Sequence, residues 1–375
     1  MSYDNEVNDT IWQKRASEVA EHLGEGVVQA DQDGELPIGA VESLKLAGLT
    51  TALIPEDCDG GGATHADMAE VLRRLGRRDP STALTLSMHS HVVAAQVWRH
   101  NQGMDATGFF DKVVGGAYIV TSGASDWIDS SGTADAADGG FRVNATKMPI
   151  SGCEAGQIFA TTVRHESPDG DEVLHFAIPM ASEGLRIERT WDTLGLRATG
   201  SHTVVLDDVF VPAAAISLRR PAGVWHPIWS AVLGCAMPLI MSVYAGIADA
   251  AVAAAITAAA RKHDAATDIL VGEMLNFHTA GLDAVEAMTH SSDNLHFANT
   301  DEHAARVLSR KSNAADAFIA TVRTAVEVAG GAGYSRRFDL ERMLRDVHGC
   351  MFHPLPRVRQ REFSGRTALG RSPVA

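Results

Sequence analysis

The sequence predicts an α+β fold in three consecutive parts, and three observations carry that reading. Residues 1–113 place apolar side chains at helical spacing, residues 114–218 break into short β-prone runs between turn signals, and residues 219–375 return to long Ala-rich helical segments. An N-terminal helical domain, a middle antiparallel β domain and a C-terminal four-helix bundle is an uncommon order, so it narrows the architecture.

In the first part, Ile11, Ala16, Val19, Ala20 and Leu23 form one amphipathic face, and Val41, Leu44, Leu46 and Leu49 suggest a second helix ending near Gly48. Gly60-Gly61-Gly62 interrupts the pattern. Met68, Val71, Leu72 and Leu75 resume it, and Asp79-Pro80 supplies an N-cap and a first-turn proline for a helix running through Arg99.

The middle part reads as strands: "AYIV", "FRVNATKM", "QIFATTV", "EVLHFAIPM", "LRIERTW" and "HTVVLDDVFVP", separated by turns such as Asp138-Gly139-Gly140 and Pro168-Asp169-Gly170. Its last segment, "WDTLGLRATGSHTVVLDDVFVP", gathers many hydrogen-bonding side chains, Arg197, Thr199, Ser201 and His202 among them. In the third part the Ala-rich helices present small faces that allow close packing.

At 375 residues, 45% hydrophobic and 21% charged, the chain has the material for a large core. A net charge of -15 argues against nucleic acid as a partner, because phosphate binding needs clustered Lys and Arg. Cys58, Cys153, Cys235 and Cys350 form no C-x-x-C pair; with no basic-then-apolar leader, the expectation is a reduced cytoplasmic setting without structural zinc. Ala231 to Ala260 is apolar but contains Pro238, Ser242 and Asp249, which favours a buried helix over a membrane span.

Four stretches in this order resemble the acyl-CoA dehydrogenase superfamily of flavoproteins: "AYIVTSGASD" (Ala117 to Asp126), "GGFRVNATKMPISG" (Gly139 to Gly152), "LGLRATGSHTVVLDDVFVP", and "AGGAGYSRRFDLERMLRD" (Ala329 to Asp346). The resemblance spans nearly the whole chain. It implies FAD, with FMN as the other choice, and places Thr121, Ser122 and Ser151 at the polar edge of the flavin ring, where hydroxyls and amides suit its carbonyls and nitrogens. Local backbone satisfaction is the plainer account of the same hydroxyls. Gly330, Gly331 and Gly333 follow a helix and lack a βαβ unit, so they are no dinucleotide fingerprint. The resemblance brings them to the cofactor's phosphates, while helix capping is the plainer account. Glu341 and Arg345 read as a helix-surface ion pair.

The sequence also departs from the family. Its dehydrogenases take the substrate α-proton with a glutamate, but the matching position here lies at or near Pro354, and "VWHPIWSAVLGCAMPLI" offers no carboxylate as a substitute. The Arg-x-x-Phe-Gly segment is absent too. Histidines stand nearby instead: His353 in "FHPLP", and His89 and His91, which point about 200° apart on one helix and so cannot both face one site. These three are the candidate catalytic residues, and Trp225, His226, Arg197 and Ser201 the candidate substrate contacts. Three functions follow as expectations. One is a dehydrogenase of an acyl-CoA or related substrate that passes electrons to an electron-transfer flavoprotein; another is a monooxygenase fed by a flavin reductase; the last is a silent ligand-binding scaffold. The family pattern further implies a homotetramer.

Overall fold

The computed structural model describes residues 9–37 and 39–374; the reading of the extreme N-terminus as leader-free falls partly on residues 1–8, outside the described residues. Among the described residues six helices come first: α1 (Ile11–Gly24), α2 (Val27–Asp33), α3 (Ala40–Leu46), α4 (His65–Gly76), α5 (Pro80–Asn101) and α6 (Thr107–Val114). Thr10 and Gln13 close a capping box on α1, and Ala16, Val19, Ala20 and Leu23 are buried as their spacing predicts. The short α2 went unseen in the sequence because only Val27 and Ala30 are buried on it. Asp79 caps α5 through the Thr82 amide.

Among the described residues eight strands form a single sheet: β1 (Ile119–Thr121), β2 (Thr133–Ala137), β3 (Gly140–Ile150), β4 (Ile158–His165), β5 (Glu172–Pro179), β6 (Leu185–Glu188), β7 (His202–Pro212) and β8 (Ile216–Pro221). Their order is β6-β7-β3-β2-β4-β5-β8, with β1 joined to β4. The expectation of a purely antiparallel domain needs correction, since β1 and β2 both run parallel to β4, meeting it near opposite ends. Alternation and turn signals report strands and hairpins, not the direction of a non-neighbouring partner. The sheet also continues through Pro221, past the boundary expected at residue 218.

The last part holds α7 (Ile228–Ala259), α8 (Ala265–Ser291), α9 (Asp301–Ala329), α10 (Leu340–Val347) and α11 (Arg357–Ala368). Helix α7 packs against α4, α5, α8 and α9, which explains its apolar composition: its most apolar window has mean hydropathy 1.9 and is 72% buried. The hairpin before β7 meets α10 at Gly195, where a Cβ would lie 2.4 Å from the Arg345 carbonyl oxygen, so only glycine permits the approach. That contact seats the β domain on the bundle.

Candidate active site

The Leu196–Thr199 turn is the joint around which the site is built. The Leu196 amide donates to Asp346 Oδ1 at 2.6 Å, its carbonyl accepts from Thr199 Oγ1 at 3.0 Å, and its side chain packs over Gly349. Asp346 also holds Arg342 at 2.8 Å, and both are buried. Burial lifts the Asp346 carboxyl to about 6 against the pull of Arg342, so it stays ionised at neutral pH as an acceptor for the Leu196 amide. The sequence reading singled out the adjacent pair Glu341 and Arg345. That pair forms at 2.9 Å, but Arg345 also clamps Asp31 on α2, tying the N-terminal domain to the bundle.

On the β-domain side, three hydroxyls form a relay. Ser151 Oγ lies 2.8 Å from Ser201 Oγ, which lies 2.7 Å from Thr199 Oγ1. A hydroxyl has one hydrogen to give. Thr199 gives its own to the Leu196 carbonyl, so Ser201 donates to Thr199 and Ser151 to Ser201. The relay therefore leaves Ser151 with lone pairs outward. Ser122 Oγ accepts from Thr161 Oγ1 at 3.0 Å, and Thr121 Oγ1 reaches the Ser122 carbonyl at 3.3 Å. Both stay half-buried at the end of β1.

The histidines divide sharply. His89 is fully buried, stacks on Tyr118 at 4.6 Å, accepts the Ile119 amide at Nδ1 and donates from Nε2 to the Thr50 carbonyl. Both ring nitrogens are thus spent on backbone, and burial lowers its proton affinity to about 4. No nitrogen remains for a reacting group, so the catalytic expectation for His89 gives way to a structural one. His91, on the other face of α5, engages the Ser87 carbonyl at 3.2 Å. His353 lies close enough to His91 and Lys311 for their charges to oppose its own protonation, and burial together with those charges pushes it to about 3. Its Nε2 lies 2.6 Å from Tyr244 Oη, and its carbonyl accepts from Lys311 Nζ at 2.9 Å.

Tyr244 and Lys311 were missed in the sequence, though each left a trace. Lys311 interrupts the apolar stripe Ala304, Val307, Leu308, Ala314, Ala315, Phe318 of α9, a position where a cation is out of place unless it has buried partners. Burial lowers it to about 8. Tyr244 is the one tyrosine in a helix otherwise made mostly of small and aliphatic residues.

The remaining candidates lie elsewhere. Arg197 is occupied by Asp192, the Thr193 carbonyl and the Asp31 carbonyl, which makes it a strap between domains. Trp225 donates to Ser230 and packs edge-on against Trp127 and Phe363, and His226 Nδ1 accepts the Ile228 amide. They form an aromatic cluster with Trp229, which stacks on Trp127 at 4.9 Å. Gly330 caps α9 with φ of +67°, while Gly331 and Gly333 follow it. Nineteen residue steps along α9 separate Lys311 from Gly330, roughly 28 Å at the α-helical rise, so within one chain these glycines do not join the His353 wall.

Two family models match the chain: the acyl-CoA dehydrogenase N-terminal domain over residues 7–102 and the middle domain over residues 121–209. The chain belongs to the acyl-CoA dehydrogenase superfamily. Amino sugar nitrososynthase DnmZ of Streptomyces peucetius is 25% identical, over 91% of this chain and 88% of that protein. The rat mitochondrial short-chain specific acyl-CoA dehydrogenase is 23% identical, over 85% and 79%. Among solved structures, dibenzothiophene monooxygenase TdsC from Paenibacillus sp. A11-2 superposes with a TM-score of 0.83 at 19% identity, covering 96% of this chain and 98% of that one. The superfamily's members are flavin-dependent enzymes, and this chain is one of them.

Proposed function

We propose that this protein is a monooxygenase that receives reduced flavin from a reductase and uses O2 on a small-molecule substrate. The observation that carries the reading is the bundle wall itself. It presents neutral His91 and His353 beside Tyr244, while Asp346, the carboxylate that enters it, is spent on Arg342 and the Leu196 amide. A wall without a free carboxylate is poorly suited to drawing an α-proton from a thioester and well suited to donating hydrogen bonds to oxygen.

The residues present fit a flavin. Ser151, Thr121 and Ser122 offer a half-buried polar edge, and the Tyr118 hydroxyl is buried with no partner beside the Gly152 turn. When bound, a flavin supplies the two-electron reduction of oxygen that a side chain cannot. The outward lone pairs of Ser151 suit a reduced ring, whose N5 carries a hydrogen to give. TdsC has been crystallised with FMN, and we propose FAD or FMN as the cofactor here. A homotetramer is proposed as the form in which Gly330, Gly331 and Gly333 approach a cofactor, and a cytoplasmic setting is proposed from the cysteine pattern.

The test mixes flavin-loaded protein anaerobically with a panel of acyl-CoAs, then separately mixes its reduced form with O2. The reading expects no bleaching in the first mixture and, in the second, a transient band belonging to neither oxidised nor reduced flavin. Bleaching by an acyl-CoA would restore the dehydrogenase reading and its electron-transfer flavoprotein partner.

A further inference from the structure

His353 is held at two points by elements far apart in sequence. Lys311 of α9 donates from Nζ to the His353 carbonyl at 2.9 Å and reaches the Leu355 carbonyl at 3.5 Å, fixing the backbone of the loop. Tyr244 of α7 fixes the ring, with Oη 2.6 Å from Nε2. The phenol reaches that far because residue 349 is glycine: a Cβ there would lie 2.8 Å from Oη and 2.7 Å from Leu196 Cδ1.

The direction of the Tyr244–His353 hydrogen bond follows from counting hydrogens. Tyr244 is fully buried. Burial, with the charges of Cys350 and Asp346, holds its hydroxyl protonated far above the ordinary tyrosine range. Among the described residues, His353 Nε2 is the single hydrogen-bond partner of that hydroxyl. If Nε2 carried the ring hydrogen, the phenol hydrogen would be buried without an acceptor, a cost the reverse arrangement avoids. Tyr244 therefore donates and Nε2 accepts.

We propose that Tyr244 is a positioning residue that locks His353 in the tautomer with hydrogen on Nδ1, so that His353 offers a hydrogen-bond donor, not a base, to the reacting oxygen. The proposal rests on the oxygen-using reading of the site. The groups facing His353 support a ring that is neutral near pH 7. The Lys311 cation on α9 opposes a second positive charge, His91 on α5 is itself held neutral by burial, and the Asp346 carboxylate is already paired with Arg342. In the neutral ring the remaining hydrogen sits on Nδ1, which has no partner among the described residues, and the residue is partly buried.

Two measurements test this. A neutron crystal structure of the flavin-free protein near pH 7 should show deuterium on His353 Nδ1 and the Tyr244 deuterium aimed at Nε2; deuterium on Nε2 overturns the proposal. The second measurement uses side chains that imitate one nitrogen each. Asparagine's amide falls near Nδ1 and glutamine's near Nε2, so His353→Asn should retain the larger share of kcat while His353→Gln loses on the order of 100-fold. The opposite order overturns the proposal. Tyr244→Phe should lower kcat about tenfold with KM unchanged, the pattern of an interaction made in the transition state; an unchanged kcat contradicts the positioning role. The neutron result does not depend on turnover, and the variants are compared in whichever flavin half-reaction the protein performs. Failure of the tautomer lock is thereby distinguished from failure of the oxygen reading, which shows as bleaching by acyl-CoA.

Discussion

On its β-domain side the candidate site draws Thr199 and Ser201 from one turn and Ser151 from the adjoining strand end. Its bundle side joins Tyr244 to His353 across 109 residues and adds His91 and Lys311 from two further helices. The first side is local and hydroxylic, legible in short motifs; the second is assembled by packing. What differs is the information each needs. A strand-end serine keeps its place by backbone register, whereas a neutral histidine wall exists only if α5, α7, α9 and the 348–355 loop all arrive together.

The residue that joins the two sides should produce the largest effect when changed. Asp346→Ala leaves Arg342 buried with Asp339 alone and orphans the Leu196 amide. Urea unfolding should show a loss of about 3–5 kcal/mol, the cost of breaking a buried pair. If the loss stays below about 1 kcal/mol, Asp346 is not the joint described.

Acid should attack the buried histidines next. His65 and His89 fall to about 4 in the folded protein through burial, against 6.5 for an ordinary histidine. A folded state that binds its proton less readily than the unfolded chain loses stability as pH falls through the window between the two values. The loss should therefore begin near pH 6.5 and be complete near pH 4, reaching roughly 3 kcal/mol per histidine at about 1.4 kcal/mol per pKa unit. Denaturant midpoints measured across that window check it, and His89→Gln should flatten the slope without touching the flavin chemistry.

The bundle wall itself is sharpened by comparing two of its histidines. His353→Ala should cut turnover on the order of 100-fold and His91→Ala by less, measured at substrate saturation. Equal losses would mean that the two rings act as one unit. The smallest effect belongs to the relay. Ser201→Ala releases the Ser151 hydrogen to point outward and so favours oxidised flavin. The bound flavin's midpoint potential should fall by ~20 mV, the two-electron equivalent of about 1 kcal/mol, in a dye-coupled titration.

Much of the scaffold was readable in the sequence. The helix of Pro80–Asn101 announced itself in Asp79-Pro80, and Val204, Leu206, Val209 and Val211 in β7 are buried where the run predicted a strand. The parallel pairing of β1 and β2 with β4 was not readable, because strand direction depends on the route of the intervening chain. At the site, the opposed orientations of His89 and His91 followed from helical spacing alone. Which of them would be spent on backbone did not follow, since that depends on Thr50 and Ile119 arriving from other elements. Arg197 looked like a free donor in its motif and proved to be a strap, because its partner Asp31 is brought from α2 across the domain interface.

The central claim is that a histidine wall without a free carboxylate directs this flavoenzyme toward oxygen. Rapid mixing of the reduced, flavin-loaded protein with O2 tests it most directly. A transient absorbance band that decays slowly to oxidised flavin, faster when substrate is present, is the predicted result. Direct return to oxidised flavin with no transient, together with anaerobic bleaching by an acyl-CoA, would contradict it.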